Sequence, residues 1–348
     1  MTISIAPEQI RQAKEDHAKM RPRDLAKQLG ISEAQYVAAW LGDGVQQITT
    51  DFDKIFPGLA DVGEVMALTR NEYAVHEKIG IYDKYIAGKH AAMMLGANID
   101  TRMFPSQWAC GFAVKDKSGE TVKHSLQFFD KHGEAIHKIH TRPTTNMYAW
   151  GKLVEALALD ETAELPVFKE KQPDHKLYDP VPVDELRRRW TAMTDTHQFV
   201  NILRKLNIER LAAVSHVGED FAWRVDASAV EAMMRLSASE KLPIMCFVGN
   251  DGCIQIHSGP LETINTMGPW VNIMDPTFHL HLRADKIAQV WAVRKPTDKG
   301  HVTSIEVYCA KGELIIQFFG KRIEGQDERQ GWRMIIENLP RVRSKEAV

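Results

Sequence analysis

The 348-residue sequence has no hydrophobic run that approaches the roughly 20 apolar residues of a membrane-spanning helix. Residues 1–24 also lack the apolar core that a secretory signal requires. The formal net charge is only −2, so no overall positive field is present to attract nucleic acid or an anionic membrane. We therefore expect a cytoplasmic protein that is not embedded in a membrane and does not bind nucleic acid.

Cysteine and nucleotide-binding motifs are also scarce. The four cysteines lie in apolar segments without C-x-x-C spacing, which argues against a disulfide framework or a structural zinc site. We interpret them as reduced packing residues. The sequence contains no P-loop, no dinucleotide-binding G-x-G-x-x-G after a strand and no nucleophile elbow. It therefore predicts no flavin or nicotinamide site.

The chain does contain an internal repeat. The segment VMALTRNEYAVHEKIG at 65–80 is echoed by IMCFVGNDGCIQIHSG at 244–259, and Asn250 follows Asn71 by 179 residues. The same shift relates Gly133 to Gly312. A constant offset over some seventy residues indicates a duplication.

Both copies have the same predicted order of elements. Each opens with helical sequence, continues with short alternating strands separated by turns, and closes with an amphipathic helix that begins at Trp150 or Trp332. Consecutive short strands favour antiparallel sheet. We predict an α+β fold made of a tandem structural repeat, each copy having N-terminal helices, an antiparallel β-meander and a closing helix. The predicted boundaries are 1–160, a proline-rich and charged linker at 161–182, and 183–348.

A histidine lies within a helical pattern in the second copy. The segment PVDELRRRWTAMTDTHQFVNILRKL places Leu186, Trp190, Met193, His197 and Val200 at spacings that predict one face of a continuous helix. Such a histidine is either an interior residue or a ligand. A ligand role would suit a pocket that needs one neutral imidazole amid apolar surface and cations at its rim, as haem and its propionates do.

Basic residues accompany this pattern. Arg204, Lys205 and Arg210 follow His197, and they are either solvated helix-end charges or, for Arg210, a ligand contact. Further basic pairs occur at the ends of two strands, at Arg294 and Lys295 and at Lys321 and Arg322.

Each of the other candidate residues has two possible interpretations, one structural and one functional. Arg102, in the strand-like IDTRMF, either extends to solvent or faces a ligand, and its repeat partner is His281. His279 and His281 have the spacing of two metal ligands on one strand face, without an evident third. His76 is either a second haem contact or, as we favour, an exposed strand histidine.

Several longer motifs carry a family resemblance. LTRNEYAVHE, DTHQF, VGNDGCIQIHSGP, NIMDPTFHLHL and VRKPTDKGHVTS resemble segments of the HemS, ChuS and PhuS haemin proteins of Gram-negative bacteria, in the same order. The resemblance runs through nearly the whole chain. It implies a pair of structural repeats with haem (iron protoporphyrin IX) bound between them.

The resemblance also implies roles for individual residues. The D-x-H-x-F segment identifies His197 as the axial ligand of the haem iron, and D-x-R-x-F identifies Arg102 as a distal, catalytic residue. Shorter motifs identify Arg210, Lys295 and Arg322 as haem-binding residues on the propionate side. Where some members have tyrosine, this chain has Phe319 and so lacks one phenolic hydrogen bond.

Two functions are compatible with this resemblance. The first is haem degradation by porphyrin ring opening with iron release, which needs an external reductant. The second is a non-enzymatic haem carrier that delivers haem to a separate haem oxygenase. The partners expected for these roles are a haem-uptake ABC transporter, a reductase or a downstream oxygenase. Without the family motifs, a duplicated structural or regulatory module would also fit.

Overall fold

A computed structural model of the chain describes residues 5–117, 119–160, 164–169, 171, 178–322 and 329–342. These residues form two compact units. Unit 1 contains the described residues of Met1–Arg70, His76–Pro173 and Gly249–Gln255. Unit 2 contains those of Asn71–Val75, Asp174–Val248 and Ile256–Val348. Each unit thus includes a short segment of the other sequence copy.

Part of the predicted linker, at residues 161–163, 170 and 172–177, lies outside the described residues. The domain boundaries predicted at 160 and 183 therefore stay predictions.

The first copy contains helices α1 (Pro7–Asp16), α2 (Pro22–Leu29), α3 (Glu33–Ala38), α4 (Phe52–Val62) and α5 (Met147–Leu157). Its strands are β1 (Val45–Ile48), β2 (Val65–Arg70), β3 (Ala74–Gly80), β4 (Tyr85–Ile86), β5 (Ala92–Leu95), β6 (Asp100–Met103), β7 (Cys110–Asp116), β8 (Lys123–Phe129) and β9 (Ala135–Thr141).

The second copy contains helices α6 (Val183–Thr191), α7 (Gln198–Leu206), α8 (Arg210–His216), α9 (Ala229–Ser239) and α10 (Gln330–Glu337). Its strands are β10 (Ala222–Val225), β11 (Ile244–Gly249), β12 (Cys253–Gly259), β13 (Ile264–Met267), β14 (Trp270–Asp275), β15 (Phe278–Arg283), β16 (Gln289–Thr297), β17 (Gly300–Tyr308) and β18 (Leu314–Gly320). The order of elements is the same in both copies, and the predicted α+β tandem repeat is confirmed.

The strands of each unit form antiparallel sheet. Unit 1 has the order β1-β7-β8-β9-β2 and a separate group β4-β5-β6. Unit 2 has the corresponding order β10-β16-β17-β18-β11 and the group β13-β14-β15. Short sequential strands joined by tight turns produce this pairing, because antiparallel neighbours need no long crossover.

Helices cover both faces of each main sheet, as the strand patterns require. In unit 1, Phe112 packs in the cluster of α1–α3, whereas its neighbour Ala113 packs in the cluster of α4 and α5. In unit 2, Val293 packs with α6–α8 and its neighbour Ala292 with α9 and α10. Alternate side chains of a strand point to opposite faces, so these strands contribute to two cores.

A turn asparagine provides a physical signature of the duplication. In unit 2, Asn71 accepts the backbone N–H groups of residues 73 and 74, and its amide donates to the carbonyl of Ile315 at 2.7 Å. In unit 1, Asn250 accepts the N–H groups of residues 252 and 253 and donates to the carbonyl of Ile136 at 2.9 Å. Both the asparagines and the carbonyls are related by 179 residues. The repeat therefore extends to individual hydrogen bonds.

All four cysteines are buried and form no disulfide, as the sequence predicted. Burial raises the pKa of the Cys110 and Cys253 thiols to about 12, so both are inert at neutral pH. Among the residues that the structure describes, no helix combines the length and apolar character needed to cross a membrane.

Candidate haem-ligand site

The prediction of a continuous helix around His197 is wrong. Helix α6 ends at Thr191 and α7 begins at Gln198, so His197 is the residue that caps α7. Leu186, Trp190 and Met193 are buried as expected, but Val200 is exposed. The histidine side chain is 90% exposed and does not lie in an apolar stripe.

Local hydrogen bonds explain the break between the two helices. The side chain of Asp195 accepts the backbone N–H of His197 at 2.7 Å. Thr194 and Gln198 exchange two further hydrogen bonds, at 3.0 and 3.1 Å. Short polar side chains that bond to nearby backbone groups compete with helix hydrogen bonds, and Asp195 does so here between two threonines. The chain therefore leaves the helix and presents His197 on a turn.

Asp195 also orients the imidazole ring. Its Oδ1 lies 2.7 Å from Nδ1 of His197. The backbone N–H and the ring of His197 hold the pKa of Asp195 below its usual value, so the carboxylate is ionised and can only accept. In the neutral form of the ring, Nδ1 must then carry the proton, which leaves the lone pair on Nε2. A carboxylate behind one ring nitrogen is the usual support of a metal-bound histidine.

A second feature of unit 2 is a buried carboxylate, Glu306, on β17. Arg210 donates to its two oxygens at 2.8 and 2.9 Å, and Nζ of Lys295 lies 2.7 Å from one of them. The hydroxyl of Tyr308 and the amide of Gln317 also donate to it, at 2.6 and 3.1 Å. Two of the three predicted propionate-side cations thus share one anion.

Charge balance explains this arrangement. Burial would raise the pKa of Glu306, but Arg210 and Lys295 hold it well below its usual range. Burial lowers the pKa of Lys295, and Glu306 opposes that effect. We regard all three groups as ionised, because each opposite charge is within hydrogen-bonding distance. The trio then has a net charge of +1, and only Arg210, whose side chain is 26% exposed, reaches the surface.

The trio lies next to the His197 segment through one aromatic residue. Phe199, in the first turn of α7, has its ring centre 5.0 Å from the Arg210 guanidinium and 4.7 Å from Nζ of Lys295. Arg322 is half-buried, and its charge helps to lower the pKa of Asp195. No described residue forms an ion pair with it. Unit 2 therefore places His197 and these cations in one region.

Arg102 belongs to unit 1, on β6. Its guanidinium pairs with Asp100 on the same strand and donates to the carbonyl of Thr101 at 3.2 Å. The side chain is one-third exposed. Burial raises the pKa of Asp100, and Arg102 opposes this. The arginine is thus held at a strand surface, and its distal role stays a prediction.

The prediction that His76 is an exposed strand residue is wrong. The residue is fully buried on β3, and its Nδ1 lies 3.0 Å from the amide of Gln255, the residue 179 positions later. Nearby, His137 lies between the hydroxyls of Thr69 and Tyr82, at 2.8 and 2.6 Å. Burial lowers the pKa of His137 to about 3. His137 is therefore neutral at pH 7. Both histidines belong to a polar core, and His76 could contact a ligand only if this core opened.

The two histidines of HLHLR form no metal site with neighbours. His281 contacts the side chain of Asn272 at 2.7 Å, and no group of three or more metal-binding side chains occurs within the described residues. Sequence reasoning also overlooked Asp195 and Glu306. The first is visible in the motif DTH, as a carboxylate two residues before a histidine. The second is visible as an acidic residue within the apolar strand SIEVYC.

Comparison with known proteins gives full-length matches. The family model described as the haemin-degrading HemS.ChuX domain matches residues 30–157 and again 207–339. The hemin transport protein HemS of Yersinia enterocolitica is 39% identical over 334 residues, which are 95% of this chain and 96% of that protein.

Two solved structures are also similar. Holo-PhuS, a heme-binding protein from Pseudomonas aeruginosa, aligns with a TM-score of 0.93 and 35% identity over 97% of this chain and all of that one. ChuS, an E. coli heme oxygenase, aligns with a TM-score of 0.84 and 36% identity over 91% of this chain and 95% of that one.

Proposed function

Because the chain belongs to the haemin-degrading HemS.ChuX family, we propose that it binds haem through Nε2 of His197 and opens the porphyrin by reaction with oxygen, with electrons from an external reductant. The observation that supports this most directly is the His197–Asp195 pair. An exposed imidazole whose Nδ1 is held by a carboxylate presents its other nitrogen to solvent, where it would be able to bind the haem iron.

The residues around His197 suit an anionic, mostly apolar ligand. Haem carries two propionates, and we propose that Arg210 and Arg322 bind them. Arg210 is partly exposed while it pairs with Glu306, so it can contact a second carboxylate without leaving the first. Lys295 is almost fully buried and would act on the propionates through its charge.

Bound haem would supply an iron centre that can activate oxygen once it is reduced. Asp195 would keep His197 in the tautomer that binds iron. Arg102 would be the catalytic residue, because a guanidinium can stabilise negative charge that develops on oxygen. We further propose a cytoplasmic setting, with haem received from an uptake transporter and electrons supplied by a reductase.

A carrier is the second candidate. The 90% exposure of His197 favours this role, because an exposed ligand lets haem leave without opening of the core. One relative is named a transport protein and another a heme oxygenase, so family membership is compatible with both. A carrier would need a downstream haem oxygenase as its partner.

Haem titration followed by absorbance tests the binding proposal. We expect saturation at one haem per chain, because among the residues that the structure describes only His197 is an exposed histidine paired with a carboxylate. His197→Ala should change the spectrum and weaken binding, whereas the control His216→Ala, an exposed histidine of α8, should do neither. An unchanged spectrum in His197→Ala would show that another residue binds the haem iron.

Reductant-driven turnover distinguishes the two candidates. Loaded protein is incubated with ascorbate and catalase in air, and the decay of the haem band is followed together with iron release. Decay that resists catalase supports the enzyme. Stable haem that passes rapidly to apomyoglobin supports the carrier.

A further inference from the structure

Unit 1 contains a pocket of about 800 Å³ that the proposed haem site does not use. It lies between helix α5 and the ends of strands β1, β7 and β8. Met147, Trp150 and Val154 of α5 form an apolar wall, and Leu41 and Leu159 extend it. Small-molecule sites have volumes of roughly 300–1,000 Å³ and mostly apolar walls with a few polar groups. The pocket has these features.

A glycine keeps this pocket open. Gly151 lies inside α5, and a Cβ atom added there would meet no atom within 4 Å. Its backbone is not in the left-handed region, so its conformation does not require glycine. A glycine inside a helix is about 1 kcal/mol less favourable than alanine. Among the residues that the structure describes, no neighbour of Gly151 accounts for this choice, whereas an occupant of the pocket would.

The second copy treats the same position differently. Gly151 follows Trp150 on α5, and the residue that follows Trp332 on α10 is Arg333. The Arg333 guanidinium donates to the carbonyl of His301 at 3.2 Å. One copy thus fills this position with a long side chain that bonds to its own unit, and the other leaves it empty. The two copies therefore differ at this position of the closing helix.

The strand side of the pocket is polar and basic. Lys115 on β7 and His124 on β8 are direct cross-strand partners and line the pocket together. Burial and the charge of Lys115 lower the pKa of His124, so its ring is a neutral hydrogen-bonding group at pH 7. No described residue forms an ion pair with Lys115. Asp160 also lines the pocket, beyond the end of α5, so an anionic group of a ligand would be repelled there and attracted to the strand side.

We propose that this pocket binds a small amphiphile with an apolar body and one carboxylate. The apolar body lies against Trp150 and Gly151 of α5, and the carboxylate pairs with Lys115 beside His124. This pocket shares no residue with the proposed haem site, because none of the five residues proposed for that site lines it.

Dodecanoate is the probe, titrated below its micelle-forming concentration into haem-free full-length protein and followed by calorimetry. We expect saturable binding of one molecule per chain. Gly151→Leu, which fills the pocket, should weaken binding by at least about tenfold, and Gly151→Ala should weaken it by a smaller factor, because its Cβ atom takes up less of the space that the apolar body occupies. Lys115→Met should weaken it by about two- to fivefold, the range of an exposed ion pair. Dodecyltrimethylammonium should bind at least about tenfold more weakly than dodecanoate.

Three results would overturn the proposal: no saturable binding to the wild type, equal binding by Gly151→Leu, or equal binding of the cationic amphiphile. Haem titration of Gly151→Leu is run in parallel. Unchanged haem binding together with lost dodecanoate binding supports a separate site, while parallel loss of both would show that the substitution acts on the fold and would reject the assignment.

Discussion

Arg210 and Glu306 form a bidentate ion pair inside unit 2, with Nε and Nη2 of the arginine 2.8 and 2.9 Å from the two carboxylate oxygens. Lys295 binds the same carboxylate. Replacing Arg210 or Lys295 therefore disturbs a buried charge balance as well as any contact with haem. Tests of propionate binding need a cation outside this trio.

Glu306→Gln should destabilise the protein strongly. Glutamine keeps the size of the side chain but leaves Arg210 and Lys295 without a balancing charge, and breaking a buried ion pair costs about 3–5 kcal/mol. Urea unfolding measures the change in the free energy of unfolding. The control is Glu337→Gln, which removes the partly exposed pair with Arg294 and should cost under about 1 kcal/mol. Equal losses in both variants would mean that the trio has no special role.

Arg322→Ala should weaken haem binding by a few-fold without changing the free energy of unfolding. Arg322 is half-buried, and no described residue pairs with it, so its removal leaves no buried charge uncompensated. An exposed charge pair is worth about 0.2–1 kcal/mol. Haem dissociation rates at low and high salt are the measurement, and the neighbouring Lys321→Ala is the control. If the haem dissociation rate does not depend on salt and is equal in wild type and Arg322→Ala, Arg322 does not contact a propionate.

Asp195→Asn should lower haem affinity by about 10–100-fold, the usual effect of losing the carboxylate behind a metal-bound histidine. The substitution keeps the side-chain oxygen that accepts the backbone N–H of His197, so the turn should survive. Asp226→Asn is the matched control, because Asp226 accepts the N–H of Ser228 in a similar turn but has no histidine partner. An affinity equal to that of the control would mean that Asp195 only shapes the turn.

Glu33 should make unit 1 sensitive to acid. Burial would raise its pKa, but Lys138 and Arg70 hold it at about 2, below the ordinary value of 4.5. Because the pKa of Glu33 is lower in the folded than in the unfolded protein, its ionised carboxylate stabilises the folded state above pH 4.5. This stabilisation is lost as the pH falls from 4.5 towards 2. The full contribution is about 3 kcal/mol. The test is urea unfolding of wild type and Glu33→Gln from pH 6 downward. The stability difference should narrow below pH 4.5, and a constant difference would contradict the assignment.

The sequence predicts the fold better than it predicts the site. Strand alternation, the 179-residue offset and the closing tryptophans are patterns of the chain itself, and each has its counterpart in the structure. The prediction of a continuous helix through His197 failed because the spacing of apolar residues gives no information about side chains that bond to the backbone, as that of Asp195 does. The prediction of an exposed His76 failed because the buried face of β3 carries polar residues, His76 and Lys78, and residue polarity along the strand does not reveal a polar core. The partner of Arg210, Glu306, is 96 residues away on β17 and is brought to it by tertiary packing. Lys295 reaches the same carboxylate from the neighbouring strand β16, and the register of these two strands cannot be read from residue types alone.

Arg102 provides the test of mechanism. Its guanidinium is held by Asp100 on the surface of β6, in unit 1, whereas the proposed iron ligand belongs to unit 2. If the protein degrades haem, Arg102→Ala should leave the His197-dependent spectrum largely intact and slow degradation. Loss of one positioned donor to developing negative charge on oxygen costs about 3 kcal/mol, which is roughly a hundredfold in rate.

The measurement is single-turnover decay of the haem band with catalase present, for wild type and variant loaded to the same extent. Asp100→Asn is the companion variant, because it frees the guanidinium without removing it and should retain most of the rate. Equal decay in wild type and Arg102→Ala would reject a catalytic role for Arg102, and the absence of catalase-resistant decay in both would favour the carrier.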